Sequence, residues 1–465
     1  MKNRFTCCLC IFVGVFLTLL MLGACNAKII RRTETKKAEV RMTTVEVWTN
    51  NASSKTEDVK MVYDFNNGQG KEKGIMIDYK ILGEEYQDML QAAIAAKQGP
   101  ALFKSSNLGT SSVPKLVNRG WIVAIEDIAD GKEFLTKYEG RLQPITNTYK
   151  GKTYTVPYAV TTMAVAYNKD LLKKNGYLKP PETWAEMTAM AKTITKNGRG
   201  KEFGFIEGLK SNIHSQNGLL QYASSVGHAE FNPKSGKFNF IDFIPFFQMW
   251  VNMEKEGSTF PGCEELNNDQ ARAQFAEGNI GFKFSASYDV GVWRDQFPIK
   301  INWGICRPVE DPANKYKNYA YQIPSLAFGK RALEIPEKAM EVFKLWNGDE
   351  TLLKLYERGK YIPYNQEIIN MAKKGPEIKN WVEFADLSNT WIGLPNPMGE
   401  IDIQGDNDLV GIQKVIKGEV TVKNGLKDLE KRYNAALDRA ISEGLDLTSY
   451  IDTNLDTRVK NSTVK

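Results

Sequence analysis

Polar and apolar positions alternate over residues 44–48 (Thr44-Val45-Glu46-Val47-Trp48) and again over 75–81 (Ile75-Met76-Ile77-Asp78-Tyr79-Lys80-Ile81). That two-residue period predicts two strands. A helix is expected between them, over about residues 55–65. Tyr86, Met89, Leu90, Ala93 and Ile94 then recur at helical spacing. Ala101-Leu102-Phe103 reads as a third strand, ending in the polar loop Lys104-Ser105-Ser106-Asn107. Strand, helix, strand, helix is the signature of an α/β body with a parallel sheet under covering helices. Ligands of open α/β sheets bind outside the carboxyl ends of the strands. Trp48, Gly83-Glu84-Glu85 and residues 104–107 are therefore expected to converge at one edge.

The same style continues downstream. Thr183-Trp184-Ala185-Glu186 has the form of a capping box, with Thr183 accepting from the Glu186 N–H and Glu186 reaching back to the Thr183 N–H. Pro180 and Pro181 bar an earlier start, and the helix should end near Asn197-Gly198. Another helix is expected from Pro336, with Ala339, Val342, Phe343 and Trp346 on one face. A last one is expected within residues 425–444, carrying Leu426, Leu429, Tyr433, Ala436 and Leu437.

The amino terminus follows a different rule. Lys2 and Arg4 precede an apolar run over residues 9–21, which ends in Leu22-Gly23-Ala24-Cys25. A charged start, a short apolar core and small residues before a cut make an export signal. The run is too short to span a bilayer comfortably, which takes roughly 20 residues. Leu-Gly-Ala-Cys looks like a bacterial lipobox, in which the cysteine is acylated and becomes the new amino terminus. Residues 1–24 are then a signal peptide, and residues 25–43, charged and without apolar periodicity, a lipidated flexible tether. The body is expected on the outer face of the bacterial cytoplasmic membrane. The other reading is an uncleaved membrane anchor.

Composition changes the picture little. A charged fraction of 25% and a hydrophobic fraction of 42% suit a globular body. Removing residues 1–24 from the 465 leaves too long a chain for one core, so two or three domains are expected. The net charge of +6 is modest and no basic stripe carries interleaved aromatics, which argues against nucleic acid. Past the signal and Cys25, only Cys263 and Cys306 remain. Outside the membrane they could form one disulfide, or stay two separate buried thiols. Without a neighbouring histidine cluster they are not a zinc site.

One block is more specific. Tyr149-Lys150-Gly151-Lys152-Thr153-Tyr154-Thr155-Val156-Pro157-Tyr158 is followed by Ala164-Val165-Ala166-Tyr167-Asn168-Lys169-Asp170-Leu171, then by Pro181-Glu182-Thr183-Trp184-Ala185-Glu186. This order resembles the family 1 extracellular solute-binding proteins of ABC importers, the group that contains the maltose-binding protein. Phe275-Ala276-Glu277-Gly278-Asn279-Ile280-Gly281-Phe282, Trp303-Gly304-Ile305 and Pro336-Glu337-Lys338-Ala339 extend the likeness over nearly the whole body. Two departures stand out. Ser285-Ala286-Ser287-Tyr288 replaces a Gly-Ser-Trp-like turn, and Lys104-Ser105-Ser106 stands where many relatives carry an acidic residue.

The resemblance implies a two-lobed α/β fold with the ligand cleft between lobes. One lobe is expected over residues 44–156 plus 305–347, the other over 157–304 plus 348–455, with a tail at 456–465. It also implies a carbohydrate ligand, ABC-transporter membrane subunits with a separate ATPase subunit as partners, and a monomer held to the membrane through lipid on Cys25, with no cofactor or metal. Sugar faces stack on aromatic rings, and hydroxyls need directed hydrogen bonds. The aromatic candidates are Trp48, Tyr158, Tyr288, Trp293, Tyr321 and Trp391, and the polar ones Asn50, Glu84, Lys104, Ser105 and Ser287. Trp184, Trp250 and Trp346 sit in helical patterns and read as core. Two other classes stay open: a secreted glycan-cleaving enzyme, since a carboxylate pair is all it needs, and a surface adhesin. The chain has two histidines and shows no zincin motif, nucleophile elbow or phosphate-binding loop.

Overall fold

A computed structural model describes residues 41–50, 54–83, 85–105, 112–210, 218–372, 378 and 380–459. Residues 1–40, where the signal and most of the tether are expected, with Cys25, and the candidate Glu84 lie outside the described residues. In chain order the strands are β1 (Thr43–Thr49), β2 (Ile75–Ile81), β3 (Leu102–Lys104), β4 (Ile122–Val123), the pair β5 (Thr148–Tyr149) and β6 (Lys152–Thr153), β7 (Pro157–Asn168), β8 (Phe203–Ile206), the pair β9 (Phe231–Asn232) and β10 (Lys237–Phe238), β11 (Ile280–Ala286), β12 (Trp303–Cys306), β13 (Asn318–Pro324), β14 (Leu326–Gly329), β15 (Ile362–Pro363) and β16 (Thr390–Ile392).

Two sheets organise these strands. The first runs β2-β1-β3-β14-β4, with β1, β2 and β3 parallel and β14 antiparallel to both neighbours. Alternation decides what each face buries. Val45 and Val47 pack with Val62 and Phe65 of the helix Lys55–Asn67 and with Phe343 of the helix Pro336–Trp346. Trp48 and Phe103 lie on the opposite face with Tyr86 and Leu90 of the helix Tyr86–Ala95. The second sheet runs β16-β13-β7-β11-β8, with β12 and β15 also on β7. All twelve residues of β7 are buried, as expected of a central strand covered on both faces. Its surroundings form the largest core, including Trp184, Phe246, Trp250 and Phe284.

Local chemistry explains the helix ends. Thr183 Oγ1 accepts from the Glu186 N–H at 3.1 Å. The return half of the expected box is shifted by one residue: Glu186 Oε2 accepts from the Glu182 N–H at 2.7 Å instead. The last long helix, Val422–Ser442, begins earlier than expected because Thr421 caps it through the Asn424 N–H.

One expectation changes with the strand pairing. Residues 305–324 were expected in the first lobe, but β12 and β13 both pair with β7, so the chain rejoins the first sheet only at Leu326. Of the two readings left open for the cysteines, the structure has the separate buried thiols: Cys263 and Cys306 are both free. Cys263 sits in a turn where its Sγ donates to the Phe260 carbonyl at 2.9 Å, while Cys306 closes β12. Among the described residues no helix is long and apolar enough to cross a membrane.

Candidate functional site

The carboxyl edge of the first sheet gathers a polar cluster. β1 ends at Thr49 and β3 at Lys104, and the helix Lys55–Asn67 starts beside them. Asp58 lies in that helix's first turn, on the same face as Val62 and Phe65, so its carboxyl is carried inward. Ser54 Oγ donates to Asp58 Oδ2 at 2.7 Å and Tyr79 Oη donates to the same oxygen at 2.9 Å. Thr49 Oγ1 lies 3.1 Å from Tyr79 Oη. Burial raises the Asp58 carboxyl to about 6, against the two hydroxyl donors and the Lys104 charge, which pull it down. Burial likewise lowers the Lys104 ammonium to about 8, with Asp58 acting in the opposite sense. Tyr86 Oη donates to the Lys104 carbonyl at 2.6 Å, which fixes the end of β3.

Tyrosines from the second sheet face this cluster. Tyr158 stands at the start of β7 and Tyr361 just before β15, their rings edge-to-face at 5.4 Å. Burial holds the Tyr158 hydroxyl well above the ordinary tyrosine value. Together with Thr49, Asp58, Lys104, Ser325, Trp346 and Asn347 they line a cavity of ≈ 30 Å³. That is room for about one or two waters, so a sugar enters only if the sheets part.

The chain crosses between the sheets beside this cavity. Ser325 N–H donates to the Val156 carbonyl at 2.8 Å, and Ser325 Oγ accepts from the Val156 N–H at 3.0 Å. Lys137 Nζ donates to the Asn347 carbonyl at 3.0 Å at the next crossing. An ion cluster joins the same two bodies: Lys360, 3% exposed, contacts Glu57 of the helix Lys55–Asn67 at 3.4 Å and also Asp295, which closes the helix Asp289–Asp295.

A second aromatic group sits at the end of β11. Tyr288 and Tyr321 pack with Tyr319 and Trp391, the last two edge-to-face at 4.8 Å. Arg272 lies 5.6 Å from the Tyr288 ring and is anchored by Asp289 at 2.6 Å and Asp269 at 2.7 Å. Asp289 also accepts from Ser285 Oγ at 2.9 Å and from the Ala286 N–H at 3.1 Å. Ser287 is bonded into β7, its N–H donating to the Thr162 carbonyl at 3.0 Å. Burial pushes the Tyr321 hydroxyl up to about 12.

The structure thus sorts the sequence candidates. Lys104 and Tyr158 share one cavity, Ser105 is buried beside Lys104, and Asn50 follows Thr49 at the same edge. Tyr288, Tyr321 and Trp391 share the second cluster. Trp48 does not line the cavity at the crossings: a one-residue step along a strand reverses its face, and the ring, 8% exposed, packs with Tyr86 and Leu90 and borders a separate open groove with Phe103 and Trp121. Trp293 is 1% exposed, donates from Nε1 to the Arg272 carbonyl at 3.2 Å and meets Trp303 edge-to-face at 4.9 Å. It belongs to the core. Asp58, Tyr79, Tyr361 and Asn347 were missed. For Asp58 the signal was present, a carboxylate in the i, i+4, i+7 stripe with Val62 and Phe65.

The sequence model of the bacterial extracellular solute-binding proteins matches residues 60–386. The chain belongs to that family. It is similar to a putative binding protein of Brucella abortus, 23% identical over 419 residues, covering 83% of this chain and 93% of the relative. It is also similar to the sn-glycerol-3-phosphate-binding periplasmic protein of Brucella melitensis, 24% identical over 324 residues, covering 67% and 72%. Among solved structures, an ABC transporter solute-binding protein of Thermotoga lettingae bound with α-D-tagatose superimposes with a TM-score of 0.67 at 18% identity, over 85% of this chain and all of that one. The fold is the two-lobed one of periplasmic binding proteins, each lobe a sheet flanked by helices.

Proposed function

We propose that this protein is the lipid-anchored receptor of an ABC importer, which captures a carbohydrate by hinge closure and delivers it to the permease without chemical change. The observation that carries the reading is the cavity at the crossings, where Asp58 and Lys104 of one lobe face Tyr158 and Tyr361 of the other. Charged hydrogen-bonding groups opposite aromatic rings suit a sugar, which has hydroxyl edges and apolar faces. The bound tagatose of the Thermotoga relative supports the same ligand class.

On this reading the first lobe is residues 44–156 plus 325–347 and the second 157–324 plus 348–455. The three crossings act as the hinge, and closure is driven by contacts made only in the closed state. Cys25 carries the lipid, which holds the body at the outer face of the membrane. Membrane subunits and a separate ATPase subunit receive the closed form. A glycan panel scored by thermal shift tests the reading: at 100 times its dissociation constant a true ligand stabilises the fold by about 2.7 kcal/mol. Scattering with bound sugar should show a smaller radius of gyration, and the sugar should be recovered intact. Release of shortened glycans by the pure protein, or an unchanged radius at saturation, defeats it. For the anchor, Cys25→Ser should abolish fatty-acid labelling.

A further inference from the structure

Among the described residues, Lys104 is the one cation lining the cavity at the crossings, and its ammonium has no hydrogen bond and no ion pair, with Asp58 acting on it only from beyond contact distance. Asp58 lines the same cavity, but its Oδ2 is taken by Ser54 and Tyr79, which both donate to it. Lys104 is half-buried, and a cation held in a narrow cavity without an acceptor is unfavourable.

One acceptor in the same lining is also unmet among the described residues. Asn347 is 1% exposed and lines the same cavity; its Nδ2 donates to the Phe343 carbonyl at 2.8 Å, but its Oδ1 is buried with no donor. Buried polar atoms are almost always paired. Among the described residues, this cation and this amide oxygen define a complement: a molecule that brings a hydroxyl donor together with an anionic acceptor. A neutral sugar satisfies the amide but offers Lys104 only hydroxyl oxygens, which carry no charge to offset its own.

We infer that the ligand is an acidic carbohydrate, its carboxylate or phosphate seated on Lys104 and a hydroxyl donating to Asn347. The inference rests on the receptor reading and narrows it. Calorimetric titration of the mature chain with matched probes tests it: glucose 6-phosphate against glucose, sn-glycerol 3-phosphate against glycerol, and trigalacturonate against the neutral trisaccharides maltotriose and xylotriose. The phosphate and uronate arms separate the two sources of charge. At least one charged probe should bind more tightly than its neutral counterparts. Lys104→Met should weaken that probe by about ten- to a hundred-fold, the range for losing a hydrogen bond to a charged group, while the melting temperature without ligand holds or rises because an unpaired cation is gone. Lys104→Arg should recover part of the affinity. Binding of maltotriose or xylotriose that exceeds every charged probe, or a charged probe unaffected by Lys104→Met, overturns the inference and leaves the receptor reading standing. Failure of every carbohydrate, charged and neutral, overturns the receptor reading and this inference with it.

Discussion

Truncating Trp48 separates a core role from a ligand-stacking role. Its ring is 8% exposed and packs with Tyr86, Leu90 and Phe103. Trp48→Ala removes the indole from a packed cluster, a change that costs about 3–5 kcal/mol. The Lys80 ammonium, 5.3 Å from the ring centroid, adds about 0.5–1 kcal/mol at a site of this kind. Against a typical domain stability of about 5–15 kcal/mol, the loss is large. Trp48→Phe is the control. The indole Nε1 is buried without an acceptor, a burden of about 1–3 kcal/mol that Phe relieves while filling most of the space. The two effects oppose, and the net change should stay within about 1 kcal/mol. Urea unfolding followed by circular dichroism gives the midpoint and slope, and ligand titration in the same buffer gives the affinity. The expected result is a much lower midpoint for Trp48→Ala, a nearly unchanged one for Trp48→Phe, and wild-type affinity for Trp48→Phe. An unshifted midpoint with a tenfold weaker affinity in both variants would refute the core assignment.

Lys360→Met removes the ion contact between Glu57 and the second lobe; the ligand-free protein should show a larger radius of gyration by scattering, and identical curves for mutant and wild type would dismiss the contact as a tie between lobes. Burial raises Asp58 from 3.8 to about 6, so the folded state keeps that proton to higher pH than the unfolded chain does. The stability it confers is present below pH 4 and is lost as pH rises through 6, by up to about 3 kcal/mol; Asp58→Asn should flatten this part of the ligand-free melting profile, and an unaltered slope counts against it. Cys263, whose thiol burial raises to about 12, and Cys306 should resist a thiol reagent in the native protein and react in urea without reductant; a cross-linked Cys263–Cys306 peptide would contradict this.

The strand and helix positions near the amino end were legible because they depend on local period. The reading of residues 75–81 coincides with β2, and that of 44–48 falls one residue short of β1 at each end. What local period cannot show is pairing between distant segments. β12 and β13 look like continuations toward the first lobe in sequence, yet their hydrogen bonds go to β7, more than a hundred residues earlier. Trp48 illustrates a finer limit. Strand order put the end of β1 near the cavity at the crossings, but the β1 side chain that lines it belongs to Thr49, one residue on. Tyr361 had no sequence cue, because only the pairing of β15 with β7 brings it to Tyr158. Tyr158, Tyr288, Tyr321 and Trp391 were named from aromatic residue type together with the family resemblance, and the structure groups the last three and pairs Tyr158 with Tyr361.

The place of β14 has a consequence for biosynthesis. It lies between β3 and β4, so these strands, complete by Val123, lack their shared neighbour until Gly329 has been made. At 5–20 residues per second the ribosome takes about 10–40 s over that interval. β7 waits in the same way for partners supplied by residues 280–363. A nascent chain halted before β14 therefore holds two unfinished sheets with open edges, prone to aggregate but also slow to lock. Such a delay leaves the chain without a completed main sheet for most of its synthesis.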